Sequence, residues 1–366
     1  MQSPYFMPTK VYIGNDCVFH HASVFSGIGK KALIVTGNSS AKKNGSLFDI
    51  TTVLNSQKIA YSVYDKVMSN PTIECVYEGA KFCNDELCDF VIAIGGGSPM
   101  DAAKAIALLA VNEIPEEELF SGSYGDKILP TVFVPTTAGT GSEVTQYSIL
   151  MNDKLKTKTS IASPLLFPKI ALLDGKYCEN LPLKTTINTT IDALSHSIEG
   201  MLSNRTNSIT DLLAKEALKT IANCFPAIKN QQLSPEQREA LLYASALGGM
   251  VIANTGTTAV HAMGYSLTYF KDIDHGRANG LLLCPFLRLA QEACGERVKE
   301  VLSCMGYKSI NELETTLNIL LGKKETLTEE EVEYFSGIAI KSKNISNCLY
   351  TPTQDEIKTV YRSFMK

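Results

Sequence analysis

Asp89-Phe-Val-Ile-Ala-Ile94, running directly into Gly95-Gly-Gly-Ser-Pro-Met-Asp101, decides the fold. The apolar run reads as a strand, the three glycines as a turn, and the segment to about Val111 as a helix. Ser98 suits an N-cap, Pro99 the first helical position, and Asp101 the far end of an S-x-x-D capping box. Working outward, residues 31–36 and 60–67 read as strands, with a polar loop over 37–45 and a helix over 72–85. A further strand over 130–135 feeds the loop Thr136-Thr-Ala-Gly-Thr-Gly-Ser-Glu-Val-Thr145, and 170–174 reads as the last strand. Strands alternating with helices predict a parallel sheet, an α/β domain.

Beyond residue 180 the pattern becomes helical, with amphipathic stretches over 185–202, 209–228, 235–253, 258–268 and 278–305. Ser234-Pro235 with Gln237 supplies a cap, a proline at the first position and a capping-box partner. The expected architecture is an α/β domain over 1–179 followed by an all-α domain over 180–366.

Composition narrows the function. The 366 residues carry 34 basic against 38 acidic side chains, a net charge of −4, which argues against a nucleic-acid binder. No apolar run approaches the roughly 18–20 residues a membrane span needs; the longest, 241–253, is broken by Ser245, Gly248 and Gly249. The N-terminus lacks the basic-then-apolar pattern of a signal peptide, so a cytoplasmic location is the default expectation. Ten cysteines are scattered without a Cys-x-x-Cys pair, which favours reduced, buried thiols over disulfides or a zinc knot. Of five histidines, His20 and His21 take no role, whereas His196, His261 and His275 all fall in the helical half.

Two loops are candidates for holding a nucleotide. Gly95–Ser98 is a well-capped helix start in its plainest reading. Three consecutive glycines also allow close approach of a ligand, and the helix N-terminus offers free N–H groups to a phosphate. The pattern is not G-x-G-x-x-G. The Thr-rich loop 136–145 suits a site at the carboxyl edge of a parallel sheet. After the first strand, Gly37 stands where a carboxylate would select an unphosphorylated ribose; Gly37, Ser39 and Ser40, with Lys42 and Lys43 close behind, favour NADP(H) over NAD(H). In the helical half, Asp192 and His196 are one turn apart on one helix face. Such a pair is often a local hydrogen bond; with His261 and His275 it also suits a divalent iron or zinc ion, between which these ligand types do not choose.

Gly95–Asp101, Pro135–Thr145, Asp192-Ala-Leu-Ser-His196 and His261 with His275-Gly-Arg-Ala-Asn279 together resemble, in order and separation, the iron-containing (group III) alcohol dehydrogenases. The resemblance spans essentially the whole chain. It implies the dehydroquinate synthase-like fold, with an N-terminal Rossmann-like domain binding NAD(P), a C-terminal helical domain holding the metal and a catalytic cleft between them. The metal ligands it implies are Asp192, His196, His261 and His275, holding Fe2+ with Zn2+ as the alternative. Gly96, Gly97 and Ser98 become pyrophosphate contacts, with Thr136 and Thr137 toward the nicotinamide. Asn70, Asp101, Thr140, Ser142, Thr145 and Lys158 complete the implied cofactor set.

Two positions depart from the family pattern. Many members carry an acid at the position of Gly37, in keeping with NADP(H) here, and many carry a second histidine at the position of Tyr265. The latter leaves the proton carrier open, with Tyr265 a candidate. The expected activity is metal-dependent, reversible hydride transfer between nicotinamide C4 and a short-chain primary alcohol, diol or aldehyde, in a homodimer. Tyr147, Ile149, Val251 and Tyr265 are candidate pocket residues. The alternatives are a dehydroquinate synthase-like or glycerol dehydrogenase-like metalloenzyme, or an idle assembly protein; the first needs more cations than Arg277 and Lys271 supply.

Overall fold

Phe90–Gly95 is an interior strand of a six-stranded sheet in the computed structural model, which describes residues 4–363. The strands are β1 (Lys10–Ile13), β2 (Lys31–Gly37), β3 (Ala60–Val67), β4 (Phe90–Gly95), β5 (Thr131–Pro135), β6 (Tyr147–Asn152), β7 (Thr157–Ala162) and β8 (Ile170–Leu173). The sheet runs β1-β8-β5-β4-β2-β3 with every pairing parallel. The apolar runs follow from burial on both faces. Leu33, Val35, Val91, Ala93 and Phe133 pack with helices α5 (Ile73–Asp85) and α6 (Gly97–Leu109). Their neighbours Ala32, Ile34, Ile92, Ile94, Val132 and Val134 pack on the opposite side with residues of α1 (Cys17–His20), α2 (Ser23–Ser26), α3 (Ser40–Lys43) and α4 (Ser46–Ser56), among them Phe25, Ile50 and Leu54. From β2 the chain moves outward to β3 and then returns past β2 to β4. The loops at the carboxyl ends of β2 and β4 therefore flank a topological switch point, where open α/β sheets bind ligands.

Two features lie outside the sequence reading: the edge strand β1, paired Lys10 to Ile170, and the antiparallel β6–β7 hairpin that carries Lys158. One expectation is corrected. Ser98 does not cap α6; the cap residue is Gly96, in extended conformation. Gly95, at φ +153°, already turns the chain out of the strand, so the helix starts two residues early. Ser98 Oγ instead accepts the Asn70 N–H at 3.1 Å, and Asp101 Oδ1 accepts from Ser142 Oγ at 2.7 Å, so no capping box forms.

The chain divides at Leu181/Pro182. Residues 4–6 group with the second unit, where Phe6 N–H donates to Asn254 Oδ1 at 2.7 Å, whereas the sequence reading assigns them to the first. The second unit is helical: α7 (Leu183–Met201), α8 (Ser208–Lys229), α9 (Pro235–Thr255), α10 (Ala259–Lys271), α11 (His275–Cys304), α12 (Ile310–Leu321), α13 (Glu329–Ala339) and α14 (Gln354–Arg362). The Ser234–Gln237 capping box forms at the start of α9 as expected. Cys294 leaves helical geometry and kinks α11. All ten cysteines are free thiols, and no helix among the described residues is long and apolar enough to cross a membrane.

Candidate functional site

Asp192 and His196 project from one face of α7, His261 comes from the first turn of α10, and His275 opens α11. Close backbone approach brings the last of these in. A Cβ on Gly276 would lie 1.8 Å from Asn188 O and 3.0 Å from Asp192 Cβ, so only glycine lets α11 start against α7. Asp274, just before, is held there by Asn188 Nδ2 at 2.9 Å and Lys184 Nζ at 3.1 Å.

The result is a carboxylate ringed by imidazoles. Asp192 Oδ1 lies 3.7 Å from His261 Nε2, 3.7 Å from His275 Nε2 and 3.8 Å from His196 Nε2. Donor atoms of Asp192, His261 and His275 all fall within 4.8 Å of one another, and the His196 ring stacks on that of His261 at 4.8 Å. Ligand atoms around a four-coordinate ion with bonds of about 2.1 Å are spaced by roughly 3.4 Å, and the three separations from Asp192 Oδ1 to the imidazoles lie within a few tenths of an ångström of that. Its nitrogen and oxygen chemistry suits iron or zinc.

Two residues given no role in the sequence reading support the cluster. Glu199, fully buried on α7, bonds His261 Nδ1 through Oε2 and accepts from Thr258 N at 2.8 Å and Thr258 Oγ1 at 2.7 Å through Oε1. Burial raises the Glu199 pKa, and the His261 charge with the His261 and Thr258 hydrogen bonds more than offsets it, holding the carboxyl below its ordinary value. The signal for Glu199 was its spacing: 192, 196 and 199 follow one helix face. Asn279, one turn into α11, donates from Nδ2 to Asp192 Oδ1 at 3.0 Å. A Cβ on Gly264 would sit 2.3 Å from Asn279 Oδ1, so α10 needs glycine there to admit that amide.

Tyr265, half-buried, stacks on His275 at 5.7 Å between centroids and meets His261 edge-on at 6.4 Å. Val251 is fully buried beneath Gly200, whose Cβ would come 2.1 Å from Val251 Cγ1, so it packs two helices together instead of lining an opening. The two cations of these segments are already engaged, Arg277 with Glu325 and Lys271 with Glu331, both at 2.6 Å. His20 and His21 lie in the first unit, where the His21 ring lies tilted against that of Tyr12, 4.0 Å between centroids.

In that first unit, Gly96 and Gly97 answer to the neighbouring loop. A Cβ on Gly96 would meet Thr137 Oγ1 at 2.8 Å, and one on Gly97 would meet Thr140 Cγ2 at 2.8 Å. The two candidate loops are thus packed together, Thr136 N–H donating to Gly95 O at 2.9 Å. Intrahelical bonding of α6 starts with Met100 N to Gly96 O, which leaves the N–H groups of Gly97 and Ser98 ahead of it. Ser142 and Thr145 are buried, their hydroxyls committed to Lys104 at 2.8 and 3.1 Å.

Lys104 itself is fully buried and also donates to Tyr147 O at 2.7 Å. Burial pushes its pKa down to about 8, against the opposing pull of Asp101 and Glu143. Glu143, buried beside it, is pushed up to about 7 by the same loss of water. Sequence reading missed both, since neither stands at a spacing that marks a site. Gly37 closes β2, followed by exposed Asn38, Ser39 and Ser40; Lys42 is paired with Asp65 at 2.6 Å.

Comparison with known proteins agrees with both units. A family described as iron-containing alcohol dehydrogenase matches residues 8–175, and one described as Fe-containing alcohol dehydrogenase family, C-terminal, matches residues 186–365. The 1,3-propanediol dehydrogenase of Citrobacter freundii is 35% identical over 283 residues, covering 76% of this chain and 72% of the relative. The solved structure of an iron-containing alcohol dehydrogenase from Thermotoga maritima superposes with a TM-score of 0.93 at 38% identity, covering 99% of each chain. Sulfoacetaldehyde reductase from Bifidobacterium kashiwanohense, solved in complex with NAD+, superposes at 0.89 with 29% identity, covering 100% of this chain and 99% of that one. Matched over both units, and with the Asp–His cluster assembled in the second, the chain belongs to the iron-containing alcohol dehydrogenase family of oxidoreductases.

Proposed function

We propose that the protein is a metal-dependent, NADP(H)-preferring alcohol dehydrogenase or aldehyde reductase. In this reading it interconverts short-chain primary alcohols or diols with their aldehydes. The observation that carries it is the convergence of Asp192, His261 and His275, with His196 alongside, on one cation-sized position. These four residues would hold the ion, iron with zinc as the alternative. When bound, the ion supplies a Lewis acid for the substrate oxygen, and the nicotinamide takes up or gives the hydride.

The remaining work falls to side chains and backbone. The N–H groups of Gly97 and Ser98 at the start of α6 bind the pyrophosphate, with Gly96 giving close approach. Thr136 and Thr137 border the nicotinamide, while Asn70, Thr140 and Lys158 complete the rim. Asp101, Ser142 and Thr145 act from beneath, through the Lys104 network. Gly37, Ser39 and Ser40 admit a 2′-phosphate; because Lys42 is taken by Asp65, Lys43 is the loop cation for it. The alcohol proton leaves through water, with Tyr265, whose ring stacks on that of His275, as the side chain that assists.

Substrate class rests on the relatives, a propanediol dehydrogenase and a reductase of a two-carbon aldehyde. The test is His261→Ala: bound metal and turnover are lost while NADPH binding persists. Loss of nucleotide binding with metal content unchanged would overturn the assignment. A panel of C2–C6 aldehydes with NADPH and with NADH, on iron-reconstituted enzyme, then reads substrate and cofactor choice together.

A further inference from the structure

Helix α10 begins without a cap of its own: Thr258, its cap residue, makes no side-chain hydrogen bond to the helix's first turn. The N–H groups there turn to Glu199 on α7, whose Oε1 takes Thr258 N at 2.8 Å and His261 N at 3.3 Å, together with Thr258 Oγ1 at 2.7 Å. One oxygen would serve that purpose. The second, Oε2, goes to the ring of His261 at Nδ1. Glu199 has no exposed surface, so it gives up all its hydration to make these contacts.

The bond to Nδ1 has a consequence for the other ring nitrogen. A carboxylate only accepts, so Nδ1 carries the hydrogen, and in the neutral ring Nε2 then offers an acceptor lone pair, with Asn279 Nδ2 3.2 Å from it. That lone pair is on the edge facing Asp192 Oδ1, 3.7 Å away. We infer that Glu199 is a positioning residue for the metal centre: one carboxylate fixes both the tautomer of His261 and the turn of α10 that carries it. The inference rests on the metal-centre reading above. Glu199 touches neither substrate nor ion and acts through His261.

The experiment titrates metal-free protein with Co2+ against a chelator of known affinity, and records the visible absorption of bound Co2+. Glu199→Gln keeps the volume but cannot accept from every donor. It is expected to weaken Co2+ binding about 10–100-fold and to alter the absorption bands, with circular dichroism and NADPH binding unchanged. Thr258→Val removes one donor to Oε1 and leaves the bond to the ring. It is expected to lower the melting temperature while holding Co2+ affinity within about threefold of wild type.

Wild-type affinity in Glu199→Gln overturns the inference, as does an equal loss in Thr258→Val, which would reduce Glu199 to a helix cap. If Glu199→Gln does not fold, Glu199→Asp decides. It keeps the charge one methylene short, and several-fold weaker binding supports the inference whereas wild-type affinity overturns it. Failure of wild-type protein to bind Co2+ at all would sink the metal-centre reading itself, a separate outcome.

Discussion

Gly276→Ala tests the packing that creates the metal centre. The added Cβ would lie 1.8 Å from Asn188 O, 2.7 Å from Asn188 C and 3.0 Å from Asp192 Cβ. The nearest atoms are backbone of α7, which cannot swing aside as a flexible side chain would. Reaching ordinary contact needs a separation of α7 and α11 by on the order of 1.5 Å. In stability the effect is moderate. Alanine gains about 1 kcal/mol of helix propensity over glycine, against an overpacking cost of about 1–3 kcal/mol, toward the upper end here. A net loss of about 1–2 kcal/mol corresponds to a fall of roughly 2–8 °C in melting temperature for a unit of this size.

The effect on metal is disproportionate, because ligand distances tolerate only about 0.2 Å and His275 adjoins the displaced residue. The expected outcome is a folded protein, modestly less stable, that retains NADPH binding and has lost stoichiometric metal. Gly295→Ala is the control on the same helix. Nothing lies within 4 Å of its Cβ position, so it should keep the metal and be neutral or slightly stabilised. Differential scanning calorimetry with metal analysis on both variants reads the result. Wild-type melting and metal content in Gly276→Ala would refute the claim that this contact sets the ligand geometry.

Two further outcomes follow from the first unit. Glu143 has its carboxyl raised by burial from 4.5 to about 7, so across that interval the folded chain retains a proton that the unfolded chain releases. This contribution to stability therefore falls as pH rises from about 4.5 to about 7, by an amount on the order of 3 kcal/mol. Glu143→Gln should flatten that slope and raise the melting temperature most at pH 8; an unchanged slope in denaturant titrations across the interval counts against it. Gly37→Asp has room, its Cβ position lying 3.4 Å from Val67 O and 3.8 Å from Ser40 Oγ. The new carboxylate would oppose a 2′-phosphate, so the KM for NADPH should rise about tenfold or more while that for NADH falls. Steady-state kinetics that leave the cofactor preference in place would contradict the assignment of this loop.

What was legible in the sequence is what local chemistry controls. Residues 60–67 read as a strand because their apolar and β-branched pattern persists between polar flanks, and Ser234-Pro235 with Gln237 writes its own helix start. Asp192 and His196 declare a shared face by number alone. The hairpin β6–β7 was not legible: residues 147–162 are half-buried and polar-rich, without the short apolar run that marked the other strands. Lys104 was equally hidden. It stands in an apolar helix as any solvated lysine would, and only the fold turns it inward onto Ser142, Thr145 and Tyr147. Glu199 falls between these cases, since its spacing was visible but its partner, 62 positions along the chain, was not.

The triple glycine shows why a motif can be read correctly in place and incompletely in cause. Chemistry at a helix N-terminus makes phosphate the natural explanation for Gly95-Gly-Gly97. Yet each of the three is required before any ligand arrives: Gly95 by its φ of +153°, Gly96 and Gly97 by Thr137 and Thr140 at 2.8 Å. An alanine at Gly96 or Gly97 must therefore push back the Thr-rich loop. Nucleotide affinity lost in such a variant would not measure a phosphate contact, because the loop that borders the nicotinamide moves with it. Ser98→Ala separates a different element: its hydroxyl accepts from Asn70 N–H, so the variant breaks that tie while leaving the backbone N–H groups that face the phosphate, and the Thr-rich loop, in place.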